Sequence, residues 1–113
     1  TRDDMAACAA DLAKRYQTAV LVKGGHLIGD ASADVLVSSK GTSWHETART
    51  PGVHTHGTGC TYSSAIATGL ARGLDLTSAV ASAKNYVSRA IAQHFDWPDA
   101  KVGALHALNH FPQ

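Results

Sequence analysis

The residues best equipped for chemistry lie in one run, Thr55-His56-Gly57-Thr58-Gly59-Cys60-Thr61, where two glycines lead from a polar stretch into an alanine-rich one that reads as a helix. The first turn of a helix leaves backbone N–H groups without intrahelical partners, and the aligned peptide dipoles add roughly half a positive charge there. An anion is the natural ligand. Glycines at 57 and 59 let the backbone turn several of these N–H groups toward one small oxyanion with no Cβ in the way. The hydroxyls of Thr58 and Thr61 are available as further donors or as helix caps. Gly-x-Gly before a helix also marks a plain turn, so this pattern alone leaves phosphate binding and simple capping both open. Cys60 adds a base or reactive group, because a thiolate at a helix N-terminus is stabilised by the same donors.

Lys23 is a second candidate. It ends the apolar run Ala19-Val20-Leu21-Val22, where α/β folds place ligand-binding groups, and Gly24-Gly25 behind it let a phosphate come close. The plain alternative is a solvated lysine at a strand end. A metal site is the rival chemistry. His54 and His56 alternate on an extended segment and so point the same way, and Cys60 and His45 would complete a four-ligand set. Such a site has no use for the two glycines, so the anion hole is preferred and no residue is assigned to a metal. One zinc per purified chain would reverse that choice. His26, His94, His106 and His110 read as surface or packing residues, since the sequence gives none of them an acid–base partner.

The elements that must position these groups follow from periodicity. From Asp3 to Tyr16, Met5, Cys8, Ala9, Leu12, Ala13 and Tyr16 recur at helical spacing, which predicts an amphipathic helix with Cys8 in its core stripe. The strand Ala19 to Val22 is apolar throughout, which suits a central strand of a sheet covered on both faces. Asp34 to Ser38 and Thr42 to Thr47, joined by Lys40-Gly41, predict a β-hairpin. A helix from Tyr62 to Arg72 ends at Gly73. A second helix from about Leu76 to His94 carries Leu76, Ala79, Val80, Ala83, Val87, Ala90 and Ile91 on one face. Trp97-Pro98 breaks it, and a tail from Gly103 to Phe111 closes the sequence.

Composition bounds what these elements build. The chain has 113 residues, 44% hydrophobic and 17% charged, which fits one domain with a modest core. A net charge of +1 with scattered Lys and Arg argues against nucleic acid as the main partner. No apolar run reaches the length of a membrane span. Cys8 and Cys60 fit no disulfide framework, which points to a reducing compartment, the cytoplasm. A start at Thr1 rather than Met reads as a piece of something longer.

The run Val20-Leu21-Val22-Lys23-Gly24-Gly25-His26, the later Asp34-Val35-Leu36 and above all His54-Thr55-His56-Gly57-Thr58-Gly59-Cys60-Thr61 with its Ala/Ser-rich helix resemble the hydroxymethylpyrimidine phosphate kinases of thiamine biosynthesis. These belong to the ribokinase-like superfamily, and the likeness runs from about Leu21 through Ile91, including "AVASAKNYVSRAI". The resemblance implies a doubly wound α/β fold with a mostly parallel sheet and flanking helices. It also implies transfer of the ATP γ-phosphoryl group, with Mg²⁺, to hydroxymethylpyrimidine or its monophosphate. Pyridoxal as the acceptor and a non-catalytic fragment are the alternatives.

Members of that family carry a further N-terminal portion that supplies early strands and most of the pyrimidine pocket. Residues 1–113 then form the C-terminal, nucleotide-side half, inactive alone and stable beside the N-terminal half. On this resemblance the N–H groups of Gly57, Thr58, Gly59 and Cys60 form the anion hole, and Cys60 stands where sugar-kinase relatives carry an aspartate base. Lys23 neutralises the ATP phosphates, with Gly25, Thr58 and Gly59 also at the nucleotide. Mg²⁺ is held largely by phosphates and water, and no dedicated protein ligand for it can be read from this half. The tail departs from the family pattern. A glycine- and proline-containing turn usually precedes the closing Asn-His, whereas this chain has Leu105-His106-Ala107-Leu108-Asn109-His110. For a homo-oligomer, the hairpin from Asp34 to Thr47 is the exposed surface on offer.

Overall fold

Thr1 and Asp4 cap the first helix reciprocally, the Thr1 hydroxyl accepting from the Asp4 N–H at 3.2 Å and donating to the Asp4 carboxylate at 2.8 Å. This capping box opens α1 (Arg2–Tyr16), which ends at a left-handed Gln17 whose N–H reaches the Ala13 carbonyl. The computed structural model describes residues 1–25, 29–53, 55–99 and 103–113, and they fall into two units, Thr1–Arg49 and Thr50–Gln113.

In the first unit, α1 lies on an antiparallel sheet of order β1 (Val20–Lys23), β2 (Ala31–Ser38), β3 (Gly41–Ala48). Met5 and Ala9 bury against Val35, with Ala6, Val20, Val22 and Val37 packed around them. Cys8 and Tyr16 are exposed, which corrects the expected core stripe. Ala6 rather than Cys8 completes the packed arc, so the face of α1 turned to the sheet excludes Cys8.

The predicted hairpin is present and longer than expected, with Ser38 paired to Gly41 and Ala31 to Ala48. Residues Ala33 to Leu36 are buried without alternation, so both faces of β2 are covered. β1 pairs with β2 alone among the described residues, from Val20 opposite Val37 to Lys23 opposite Asp34. It is therefore an edge of the sheet that this chain builds. The strand pairs within the chain are antiparallel, and a parallel bridge joins Thr55 to His106.

The second unit holds α2 (Thr58–Ala71), α3 (Leu76–Ala92) and a hairpin of β4 (Phe95–Asp99) with β5 (Gly103–Ala107). α2 begins at Thr58 rather than at the predicted Tyr62, which places Gly59 and Cys60 inside its first turn. Gly73, at φ 92°, donates its N–H to the Leu70 carbonyl just past the helix end. Asp75 then caps α3 through the Ser78 N–H at 2.8 Å. Gly69 brings the two helices close, since a Cβ there would stand 3.1 Å from that of Ala79.

Of the predicted face of α3, Ala79, Val80, Ala83, Val87 and Ala90 are buried and Leu76 and Ile91 half-buried, with Lys84 added to the buried set. The Lys84 ammonium lies 5.9 Å from the centre of the Tyr62 ring, a distance suited to a cation–π contact. Trp97-Pro98 was read as a breaker and instead sits within β4. A proline is tolerated where a strand has a free edge, and β4 pairs with β5 alone among the described residues. The tail folds back on α3: the Asn109 N–H reaches the Ala90 carbonyl, and the Tyr86 hydroxyl donates to the His110 carbonyl at 2.8 Å. No helix among the described residues is long and apolar enough to cross a membrane.

Candidate active site

The N-terminus of α2 has no side-chain cap. Its N-cap is Gly57, at φ 82° and ψ 8°, a left-handed conformation that other residues enter at a cost. The first intrahelical bond runs from the Thr61 N–H to the Gly57 carbonyl at 2.9 Å. Ahead of it, the N–H groups of Thr58, Gly59 and Cys60 have no acceptor among the described residues. Thr58 does not cap the helix, contrary to one of the expectations. Its hydroxyl pairs with that of Thr55 at 2.7 Å, which ties the incoming strand to the first turn. Gly57, Thr58, Gly59 and Cys60 thus form the N-cap and the uncapped first turn of α2.

Cys60 is exposed in that first turn and lines a groove of about 900 Å³ with Thr61, Ser64, Thr68, Arg72 and Arg89. That volume lies within the usual range for small-molecule sites. The lining of the groove mixes these hydroxyls and arginines with Ala65, Leu74, Ala83 and Tyr86.

Lys23 and Gly25 belong to the first unit and sit together at the end of β1, both exposed. The corner they form is fixed by two residues that the sequence reading did not assign to the site. Asp34, only 2% exposed, accepts the Gly24 N–H at 3.0 Å. Arg49 donates to the carbonyls of Gly25 at 2.7 Å, Gly29 at 3.1 Å and Ala31 at 3.3 Å. A carboxylate within an apolar strand was the visible sign for Asp34. Arg49 gives no such sign, because all of these contacts are to backbone oxygens.

This arrangement predicts that Asp34→Ala destabilises the fold by about 1–3 kcal/mol, the usual cost of stranding a buried N–H. Asp34→Asn, which keeps the acceptor oxygen, should cost less. Urea unfolding of the two variants checks the order, and equal midpoints would show that the Gly24 N–H does not depend on Asp34.

The rival metal set is not assembled among the described residues. His54 lies outside them, His56 and Cys60 are exposed, and the buried His45 sets its Nε2 3.1 Å from the Ser43 hydroxyl. Of the histidines read as lacking partners, two are corrected: His94 and His106 place Nε2 at 3.0 and 3.4 Å from one Asp96 oxygen. The β4–β5 register brings His106 opposite Asp96, which a reading that ends in a loose tail has no means to find, while His94 lies two residues before Asp96. His26 lies outside the described residues.

Residues 1–106 match the family model described as phosphomethylpyrimidine kinase. A hydroxymethylpyrimidine/phosphomethylpyrimidine kinase of Streptomyces coelicolor is 49% identical over 75 residues, covering 66% of this chain and 28% of that protein. One from Rhizobium meliloti is 42% identical over 89 residues, covering 79% of this chain and 34% of that protein. Among solved structures, the pyridoxal kinase from Staphylococcus aureus in complex with AMP-PCP and pyridoxal matches with a TM-score of 0.85 at 27% identity, over 97% of this chain and 40% of that one. The chain belongs to the phosphomethylpyrimidine kinase family, and the ribokinase-like α/β fold expected from its motifs is borne out. It spans about a third or less of the length of these curated relatives.

Proposed function

We propose that this chain is the nucleotide-side half of an ATP-dependent kinase that phosphorylates hydroxymethylpyrimidine and its monophosphate in thiamine biosynthesis, acting in the cytoplasm. The observation that carries the reading is the uncapped N-terminus of α2, where the N–H groups of Thr58, Gly59 and Cys60 follow the left-handed Gly57. Donors fixed in that way stabilise charge as it develops on a transferring phosphoryl group without having to reorganise.

The hydroxymethyl oxygen of the acceptor attacks the γ-phosphorus of ATP, the new O–P bond forms as the bond to the ADP oxygen breaks, and the acceptor proton passes to the Cys60 thiolate. A loose transition state needs that proton transfer only late, which a thiol base can provide. Lys23 places a point charge on the ATP phosphates, and Gly25 leaves room for them. Mg²⁺ would accompany the nucleotide, coordinated by phosphate oxygens and water and neutralising their charge.

Pyrimidine is favoured over pyridoxal as the acceptor because the relatives at 49% and 42% identity bear the pyrimidine kinase name, whereas the pyridoxal kinase stands at 27%. The N-terminal half of the same enzyme would complete the acceptor pocket. An ATP-dependent transfer assay on the intact enzyme with hydroxymethylpyrimidine, its phosphate and pyridoxal tests this. The expected result is a kcat/KM at least about tenfold higher for the pyrimidines. A preference for pyridoxal would replace this reading with the second one.

A further inference from the structure

The β4–β5 hairpin gathers three side chains that the proposed phosphoryl transfer does not use. His94 follows α3, while Asp96 on β4 and His106 on β5 are register partners. The His94 Nδ1 lies 2.8 Å from the Ile91 carbonyl. A carbonyl only accepts, so Nδ1 carries a proton, and Nε2, 3.0 Å from the Asp96 carboxylate, is the nitrogen a metal ion could take. His106 aims its own Nε2 at the same oxygen from 3.4 Å. One ligand atom from each residue lies within 4.8 Å of the others. Both imidazoles are largely buried, with side chains 17% and 13% exposed, while Asp96 at 64% opens the cluster to solvent.

Two imidazole nitrogens and a carboxylate oxygen form the three-ligand set of zinc sites that keep a fourth position open. A ring N–H held by a backbone carbonyl is the outer contact that orients a metal-bound histidine. Nitrogen donors of this kind select transition metals over Mg²⁺ and Ca²⁺, which take oxygen. We propose that His94, Asp96 and His106 bind one divalent transition-metal ion of the zinc class, with water or a small ligand at the fourth position. The bridge between His106 and Thr55 joins this site to the segment entering the Gly57 turn. A bound ion therefore braces the hairpin against the segment that leads into the α2 N-terminus. The site does not involve Cys60, unlike the His45–His54–His56–Cys60 set considered from sequence, so one zinc per chain counts against the anion hole only if Cys60→Ala removes it.

The test is a titration of the chelator-treated intact protein with Co²⁺ near neutral pH, followed by displacement with Zn²⁺. One Co²⁺ per chain is expected, with the strong visible absorption of a four-coordinate ion and no thiolate charge-transfer band. His106→Gln and the exposed Asp96→Asn should each weaken binding by more than the ~100-fold that loss of an outer contact can cost, while Cys60→Ala should leave it unchanged. Thermal unfolding of the metal-free variants, expected to match the unsubstituted protein, separates ligand loss from misfolding. Absence of Co²⁺ binding, which would leave only a protonated His–Asp pair, overturns the proposal. So does binding that survives both substitutions or is lost with Cys60→Ala.

Discussion

Cys60→Ala in the intact enzyme is expected to lower the phosphoryl-transfer rate by about 10²-fold or more, the scale of a general base removed from its site. The substitution leaves the backbone of the first turn, with the N–H groups of Thr58, Gly59 and residue 60, in place. ATP affinity should therefore change little. Cys60 lines the groove beside α2, and its side chain is exposed, so its loss creates no cavity in the core and stability should hold. Single-turnover rates with saturating ATP separate chemistry from binding. A rate within twofold of the unsubstituted enzyme would remove Cys60 from the proton transfer and leave the anion cradle as the whole of the local contribution.

The parts of this chain that could be read from sequence are those in which one residue type has one physical use. Two β-rich runs, Asp34 to Ser38 and Thr42 to Thr47, around the Lys40-Gly41 turn marked the hairpin, and the apolar stripe from Leu76 to Ile91 marked α3. The glycine loop was legible because φ near 82° at a helix start asks for a residue without a Cβ. The start of α2 was harder to place. Thr58, Gly59, Cys60 and Thr61 have weak helix propensity, and only the bonding of Thr61 to Gly57 shows that the helix has already begun.

Elements held by partners distant in sequence were not legible. Arg49 reaches the carbonyls of Gly25, Gly29 and Ala31 across the unit, and hydrogen bonds to backbone leave no periodicity. The β4–β5 hairpin was missed because Pro98 argues against a strand unless that strand is an edge. With it went the meeting of His94, Asp96 and His106, whose spacing has meaning only once the register is known. Cys8 failed in a different way, since helical spacing admits it to the stripe and only the rotation of α1 on its sheet excludes it.

Gly57 provides the sharpest separation of a structural turn from a working anion cradle. A Cβ built on it meets nothing within 4 Å, so Gly57→Ala introduces no clash, and its cost is confined to a left-handed backbone at φ 82°. That cost is roughly 1–2 kcal/mol, small beside the 5–15 kcal/mol of a typical fold, so the variant should still fold. The strain can be relieved by rotating residue 57 out of the left-handed region, and this turns the N–H groups that follow it away from their common focus.

Loss of one such donor in an acyl-transfer enzyme costs about 10²–10³-fold in kcat, and a drop of that order is expected for Gly57→Ala. Gly57→Asn should retain more of the rate than Gly57→Ala, because asparagine enters the left-handed region more readily and needs less rotation. Rates and urea midpoints measured on both variants decide the matter. A fall in stability with an unchanged transfer rate would make Gly57 a turn residue only, and the phosphoryl group would then have to be held elsewhere.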